Sequence, residues 1–169
     1  MIPLFESRLT FHHLTDIYQR SDMIPNTSRL KREVSSWLGI SVHPHQFAAR
    51  EYRLGKAEVG HVHLWGDVDI PFPRPVHDFL LAHNLAQRHR WVPDSGWTTF
   101  RIHAGRNVEH AIWLMRLSYL RYSLRFTADP ASFLVAEGER LHLDAELLAA
   151  LARLIPAGTD AAEHRRSIL

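Results

Sequence analysis

The chain has 169 residues, of which 46% are hydrophobic and 22% are charged, and its net charge is +2 with histidine neutral. This length and composition are typical of one ordinary globular domain, so we expect a single domain over residues 1–169. The chain has no cysteine, which excludes disulfides, thiolate nucleophiles and cysteine-ligated metal.

Charge and hydropathy also indicate where the protein works. Its basic residues are scattered among acidic ones, so we expect no nucleic-acid partner. No apolar run approaches the roughly 18 residues of a membrane span, and the start, MIPLFESRLTFHH, lacks the blocks of a signal peptide. With no cysteine, these features favour a cytoplasmic protein without a membrane partner.

Two helices are predicted before the first strand, over residues 4–22 and within NTSRLKREVSSWLG (26–39). Thr27 or Ser28 is the expected N-cap of the second helix, and Gly39 its expected end. The apolar residues at helical spacing in that segment are Leu30, Val34, Trp37 and Leu38.

The middle of the chain alternates as strands do. REYRLG and KAEVGHVHLW are predicted strands joined by a turn at Gly55, and DVDIPF is a third. A helix, PVHDFLLAHN, follows with Pro75 in its first turn. QRHRWV and GWTTFRI are two further strands around the turn PDSG. The earlier segment ISVHPHQFAA stays ambiguous, because Pro44 disfavours a long regular element.

The C-terminal third is mostly helical. A helix over about 108–124, with Asn107 as its expected cap, contains AIWLMRLSYL, which is apolar nearly all round. Such a helix is buried on more than one side or forms the seam of a homodimer. ASFLVAEGERLHLD fits helix or strand, a helix capped by Asp144 is predicted over about 144–154, and the tail AGTDAAEHRRSIL is expected to fray.

This order of elements predicts an α+β domain. Hairpin-linked strands with helices gathered apart from them favour an antiparallel sheet of about five strands. The expected core is β-β-β-α-β-β-α, with extra N- and C-terminal helices.

The strand with two histidines is the first candidate site. Residues i and i+2 of a strand share a face, so His61 and His63 stand side by side and can share a metal ion or an anion. Glycine inside a strand often marks a bulge, so Gly60 leaves two possibilities for the direction of the Glu58 side chain. With a bulge, Glu58 joins the histidine face, and without one it points away.

Three interpretations of this pair stay open: a hydrogen-bonded pair on a sheet face, a metal-free pocket in which neutral histidines act as bases, and a zinc or iron site. His43 and His45, which flank Pro44, could join the pair in space. The metal interpretation needs a third ligand, for which the candidates are Asp67, Asp69, His77 and His89.

Two residues of the turn before the last strand are also candidates. Ser95, near His89 and Asp94, invites interpretation as a nucleophile, but VPDSGW is a turn between strands and not a strand–turn–helix elbow. Trp97 either lines a pocket or packs against a helix. The chain lacks G-x-G-x-x-G, Walker, H-E-x-x-H and S-x-x-K motifs, which argues against dinucleotide, nucleotide, zinc-peptidase and serine acyl-enzyme chemistry.

Residues of about 50–123 resemble the bacterial branch of the luciferase-like domain family, which takes its name from a fungal luciferase. The resemblance rests on E-x-G-H-x-H, D-x-P-F, H-x(3)-P-x-S-G-W and a helix ending in L-S-Y. The matching residues are Glu58, Gly60, His61, His63, Asp69, Pro71, Phe72, His89, Pro93, Ser95, Gly96, Trp97, Leu117, Ser118 and Tyr119.

Most bacterial members have no assigned activity, and the fungal branch implies an oxygenase that acts on a polyphenolic hydroxypyrone without a tightly bound cofactor. The order of elements also resembles YjbR-type α+β domains, which is an analogy of fold alone. The resulting prediction is a pocket for an unknown small molecule, with a histidine as general base in a cofactor-independent oxidation that uses no metal. Its predicted catalytic residues are His61, His63, Asp69 and His89, and its predicted ligand-binding residues are Glu58, Ser95 and Trp97. The alternative is a non-catalytic interaction or regulatory domain that homodimerises through helix 108–124.

Overall fold

The structure is a computed structural model that describes residues 27–103 and 107–156. The predicted helix over 4–22, the pair His12–His13, and the predicted frayed tail with His164 lie outside the described residues. Within the described ranges no helix combines the length and the apolar character that crossing a membrane requires.

The predicted α+β class with an antiparallel sheet is confirmed, with six strands in place of about five. Every pairing is antiparallel, and the spatial order is β1-β2-β3-β4-β6-β5. The additional strand is β1, in the segment around Pro44 that the sequence left ambiguous. The strands are β1 Ile40–Pro44, β2 Arg50–Leu54, β3 Ala57–Val62, β4 Asp67–Pro71, β5 Gln87–Arg88 and β6 Trp97–Arg101.

Five α-helices accompany the sheet in the described ranges. The ambiguous segment ASFLVAEGERLHLD is mostly helical, in α4. A single 3-10 turn, Gln46–Ala48, connects β1 and β2. The helices are α1 over 27–35, α2 Arg74–Ala82, α3 Val108–Ser123, α4 Pro130–Arg140 and α5 Ala145–Ala152.

The predicted helix boundaries were partly wrong. Thr27 and Ser28 already lie inside α1, which ends at residue 35 and not at Gly39. Asn107 precedes α3 in a left-handed conformation with φ of 72° and makes no side-chain cap, because that geometry turns its side chain away from the first-turn N–H groups. Asp144 does cap α5, where its carboxylate accepts a hydrogen bond from the backbone N–H of Glu146.

The core lies between one face of the sheet and α3. Val62, Val68 and Ile70 of the sheet and Leu114 of α3 are fully buried. The far side of α3 is covered by α1 and the turn after it, where the rings of Trp37 and Tyr119 lie 5.4 Å apart. Helix α5 packs against both α2 and α4.

This packing explains why α3 is apolar nearly all round. Its sides face the sheet, α1 and α4 of the same chain, and Arg116 reaches Glu137 of α4 at 3.2 Å. The homodimer through this helix stays a prediction, but the apolar side chains that suggested it are used inside the domain.

Candidate functional site

The second face of the sheet carries a row of polar residues. Antiparallel pairing sets His61 opposite Glu51 on β2 and opposite Asp69 on β4, and it sets Asp69 opposite Thr99 on β6. Directly opposed residues share a face, so all four point away from α3. The pairing of short strands therefore brings histidine, aspartate and threonine together.

A β-bulge brings Glu58 into this row. Tyr52 pairs with Gly60 but Arg53 pairs with Glu58, so Val59 is the extra residue, and its side chain is fully buried. The bulge puts the Glu58 carboxylate on the histidine side, with Oε1 2.7 Å from His61 Nδ1. Of the two possibilities for Glu58 that the sequence allowed, the structure has the one with the bulge.

Three imidazoles converge on one oxygen of Asp69. Its Oδ2 lies 3.0 Å from His63 Nε2, 3.3 Å from His61 Nε2 and 3.5 Å from His89 Nε2. Its other oxygen, Oδ1, accepts the hydroxyl hydrogen of Thr99. The sheet order places β5 beside β6, and this is why His89, distant in sequence, reaches the same carboxylate. We call Glu58, His61, His63, Asp69 and His89 the histidine cluster.

The tautomer of His89 follows from its partners. Its Nδ1 accepts hydrogen bonds from the backbone N–H groups of Trp91 at 3.1 Å and Val92 at 3.3 Å. Backbone amides can only donate, so the hydrogen of the neutral ring sits on Nε2, which points at Asp69. The N–H of His89 therefore faces the carboxylate, but at 3.5 Å it is too far away for a regular hydrogen bond.

Charges within the histidine cluster shift its pKa values. Burial disfavours the cation of His61, but hydrogen bonds to Asp69 and Glu58 outweigh burial and raise the pKa of His61 to about 9. Burial likewise disfavours the anion of Asp69, yet hydrogen bonds from His61, His63 and Thr99 hold the pKa of Asp69 well below its ordinary value. When nothing is bound in the cleft, the two carboxylates of Glu58 and Asp69 thus favour the protonated, cationic form of His61.

His61, His63, Asp69 and His89 line a cleft of about 1070 Å³, whereas Glu58, a predicted ligand-binding residue, does not. Most of the other side chains that line it are aromatic or basic, and one of the arginines, Arg101, is ion-paired at 2.6 Å with Asp67, which also lines the cleft. Two of the aromatic side chains are largely exposed, Phe47 at 75% and Trp91 at 78%, and the three arginines are exposed as well. The walls include Phe47, Trp65, Trp91, Trp97, His45, His103, Arg88, Arg90 and Arg101.

His45 also lines this cleft, which the sequence pattern indicated only weakly. Its ring stacks on His61 with centroids 4.1 Å apart, and neither of its nitrogens has a hydrogen-bond partner in the described part of the chain. Phe47 and Ala48 adopt left-handed conformations, with φ of 54° and 57°, which turn the chain back over the sheet. The indication in the sequence was that His43 and His45 flank Pro44. Of these two, His43 forms a hydrogen bond with Ser41 and stays outside the cleft.

The remaining predicted residues fall into two groups. Trp97 lines the cleft, 5.4 Å from the ring of His61. Ser95 does not: its hydroxyl donates to Val92 O and accepts from Trp97 N within the turn. Among the candidate metal ligands, His77 lies fully buried in α2 beside Asp78, away from the cluster.

Residues 56–118 match a family model described as Luciferase domain. This match confirms the resemblance to the luciferase-like family for that part of the chain, which runs from β3 into α3 and contains the whole histidine cluster. No curated protein and no solved structure matches the chain.

Proposed function

We propose that this luciferase-like domain binds a small acidic organic molecule in the cleft and that a histidine removes a proton from it. The observation that carries the proposal is the convergence of three imidazoles on Asp69 at the floor of a cleft of about 1070 Å³. Buried polar groups arranged in this way orient a ligand, while the apolar walls supply affinity.

The walls indicate the shape and charge of the ligand. The indole rings of Trp65, Trp91 and Trp97 offer flat apolar surfaces for a planar molecule. Arg88 and Arg90 stand at the same cleft and favour a ligand that becomes negatively charged. A planar molecule with an acidic O–H or C–H meets both conditions.

The structure favours His45 over the residues of the strand pair as the proton acceptor. The nitrogens of His61 and His89 are taken up by Glu58, Asp69 and backbone groups. His63 bonds to Asp69 through Nε2 and keeps a buried Nδ1 without a partner, whereas neither ring nitrogen of His45 has a hydrogen-bond partner among the described residues. Imidazole is well suited to accept a proton at cellular pH. In this scheme the histidine cluster holds and orients the anion that forms, and Asp69 keeps the imidazoles in place.

The anion can then react with dioxygen without an organic cofactor. The carbanion form of the ligand adds to O₂, so that a carbon–oxygen bond forms, the ligand is oxidised and O₂ is reduced to the peroxide level. The imidazolium of His45 returns its proton to the distal oxygen, and the product is a hydroperoxide of the ligand. Proton and electrons balance with dioxygen as the only co-reactant.

A planar acidic probe tests this proposal. We expect 4-hydroxy-6-methyl-2-pyrone to quench the tryptophan fluorescence of the protein and to cause oxygen uptake, whereas its 4-methoxy analogue, which lacks the acidic proton, causes no uptake. His45→Gln should keep the quenching and lose the uptake. His61→Ala and His63→Ala should lose the quenching while the melting temperature changes by only a few degrees.

The matched control is His142→Asn, which changes an exposed histidine outside the cleft and keeps a residue type that tolerates its φ of 51°. Absence of quenching by the hydroxypyrone with the unaltered protein contradicts the proposed ligand class. Oxygen uptake that survives in His45→Gln contradicts the assignment of the base.

A further inference from the structure

We infer that the floor of the cleft binds one divalent transition-metal ion through His61 Nε2, His63 Nε2 and Asp69 Oδ2. The three metal ligands line the cleft in which we place the organic molecule. The inference rests on the proposed function only for the position of that molecule. It adds an inorganic cofactor to which the acidic oxygen of that ligand could bind.

Two of the three distances that join these atoms fit a shared metal ion. Atoms bound to one metal at about 2.0–2.2 Å, with angles of about 90–110°, lie about 2.8–3.6 Å from each other. Asp69 Oδ2 lies 3.0 Å from His63 Nε2 and 3.3 Å from His61 Nε2. The His63 distance also fits an ordinary hydrogen bond, whereas the His61 distance is long compared with the roughly 2.7–2.9 Å that is typical of a charge-assisted one. The ligand atoms of the three residues all lie within 4.8 Å of one another.

The surroundings of the triad provide a second, independent observation. Metal-bound histidines usually donate their other N–H to a carboxylate, which fixes the tautomer and strengthens the ligand. Glu58 occupies that place, 2.7 Å from His61 Nδ1 on the far side of the ring from Asp69. It occupies it only because the bulge at Val59 turns its side chain onto this face.

Asp69 is likewise oriented for a single metal bond. Thr99 donates to Oδ1, which leaves Oδ2 as the oxygen that faces the two histidines. The Nε2 of His89 carries the ring hydrogen, because its Nδ1 accepts from two backbone amides, so in this tautomer it offers no lone pair to a metal. The triad is therefore two histidines and one carboxylate, all from the hairpin of β3 and β4.

This ligand set indicates the class of metal. Two imidazoles and one carboxylate suit Zn²⁺ or Fe²⁺, whereas Ca²⁺ and Mg²⁺ prefer sites made of oxygen ligands alone. Three protein ligands leave at least one coordination position free, and the cleft lies on the side of the triad from which an organic ligand enters. Such open positions are typical of catalytic rather than structural metal sites.

The test uses the full chain without a histidine tag, stripped with EDTA and dialysed. We expect isothermal titration with ZnCl₂ to show one tight site above the weak background of a chain with 13 histidines. Titration with Co²⁺ should give visible d–d absorption characteristic of nitrogen and oxygen ligands. Asp69→Asn and His63→Gln should remove the tight site and the absorption, and Glu58→Gln should weaken it about 10–100-fold.

His103→Ala is the matched control, because it removes an exposed imidazole from the wall of the cleft and leaves the triad intact. Circular dichroism shows whether each variant folds. If Asp69→Asn and His63→Gln do not fold, Glu58→Gln, which removes no metal ligand, still tests the inference. Absence of a tight Zn²⁺ site in the unaltered protein, or an equally tight site in folded Asp69→Asn or Glu58→Gln, overturns the inference.

The same preparations separate this inference from the proposed function. If 4-hydroxy-6-methyl-2-pyrone quenches the fluorescence and no tight metal site is found, the metal inference is wrong and the proposed organic ligand is supported. A tight metal site without quenching supports the metal and contradicts the organic ligand.

Discussion

The two faces of the central sheet are buried in different ways. On the face toward α3, Val62, Val68 and Ile70 are fully buried among other apolar side chains. On the other face, His61 and His63 are each 7% exposed and Asp69 is 5% exposed, so polar groups are nearly as well covered. Burying apolar surface stabilises the fold directly, whereas a buried polar group must find partners to offset its lost hydration. The first face should therefore carry stability and the second face function.

Leu114→Ala should give the largest loss of stability. The side chain is fully buried between the sheet and its neighbours, and truncating a buried leucine costs about 2–5 kcal/mol of unfolding free energy. Urea denaturation measures the loss, and Leu38→Ala, at a position that is 87% exposed, is the matched control. A loss no greater than that of the control would remove the distinction between the faces.

Gly60→Ala should affect both faces at once. A Cβ at this position would lie 2.9 Å from Asp69 O and from Met115 Sδ, and its φ of 156° is strained for any other residue. We expect a loss of about 2 kcal/mol in denaturation and weaker binding of the hydroxypyrone probe, because the bulge positions Glu58 and Asp69. Gly55→Ala, where nothing lies within 4 Å, should lose stability without any change in binding.

His89→Ala should separate function from stability. It removes the acceptor of two loop amides and an N–H that faces Asp69 at 3.5 Å, which should cost about 1 kcal/mol in unfolding free energy. Probe binding should fall by much more than this small loss of stability would suggest. A large loss of stability with unchanged binding would place His89 among structural residues.

Glu137→Gln should have the smallest effect, below about 1 kcal/mol. Burial disfavours the anion of Glu137, but Arg140 and Arg116 outweigh it and lower its pKa from 4.5. Stabilisation by this carboxylate is thus present above pH 4.5 and is lost as the pH falls through the lowered value. Melting curves of the two proteins should converge in acid, and a difference that grows there would contradict the assignment.

Several features of the fold and site followed from local sequence rules. The period of two in a strand placed His61 and His63 side by side, and alternation and turn residues located the paired strands. The helix over 108–124 was predicted within one residue of its observed end at Ser123. These rules work because each concerns neighbours along the chain.

Other features depended on contacts between distant residues. The position of His89 required the neighbour relation of β5 and β6, and β5 has only two residues. His45 lies in the connection between β1 and β2, next to left-handed backbone at Phe47 and Ala48, which non-glycine residues seldom adopt and sequence patterns do not indicate. The helices that cover α3 come from distant parts of the chain. From the sequence alone, the apolar surface of α3 was therefore equally consistent with a dimer interface.

The inferred metal ligands all lie between positions 61 and 69, in one hairpin whose tight turn is closed by His63 N bonding to Asp67 O at 2.8 Å. Closing so short a loop loses little chain entropy, and longer connections elsewhere do not alter that cost. Insertions in the segment between α2 and β6 would reshape the walls while leaving the three ligands where they are. One residue added within the hairpin turn would instead rotate Asp69 to the opposite side, toward α3. Variation in that segment would thus change the proposed organic ligand and leave the inferred metal ligands in place.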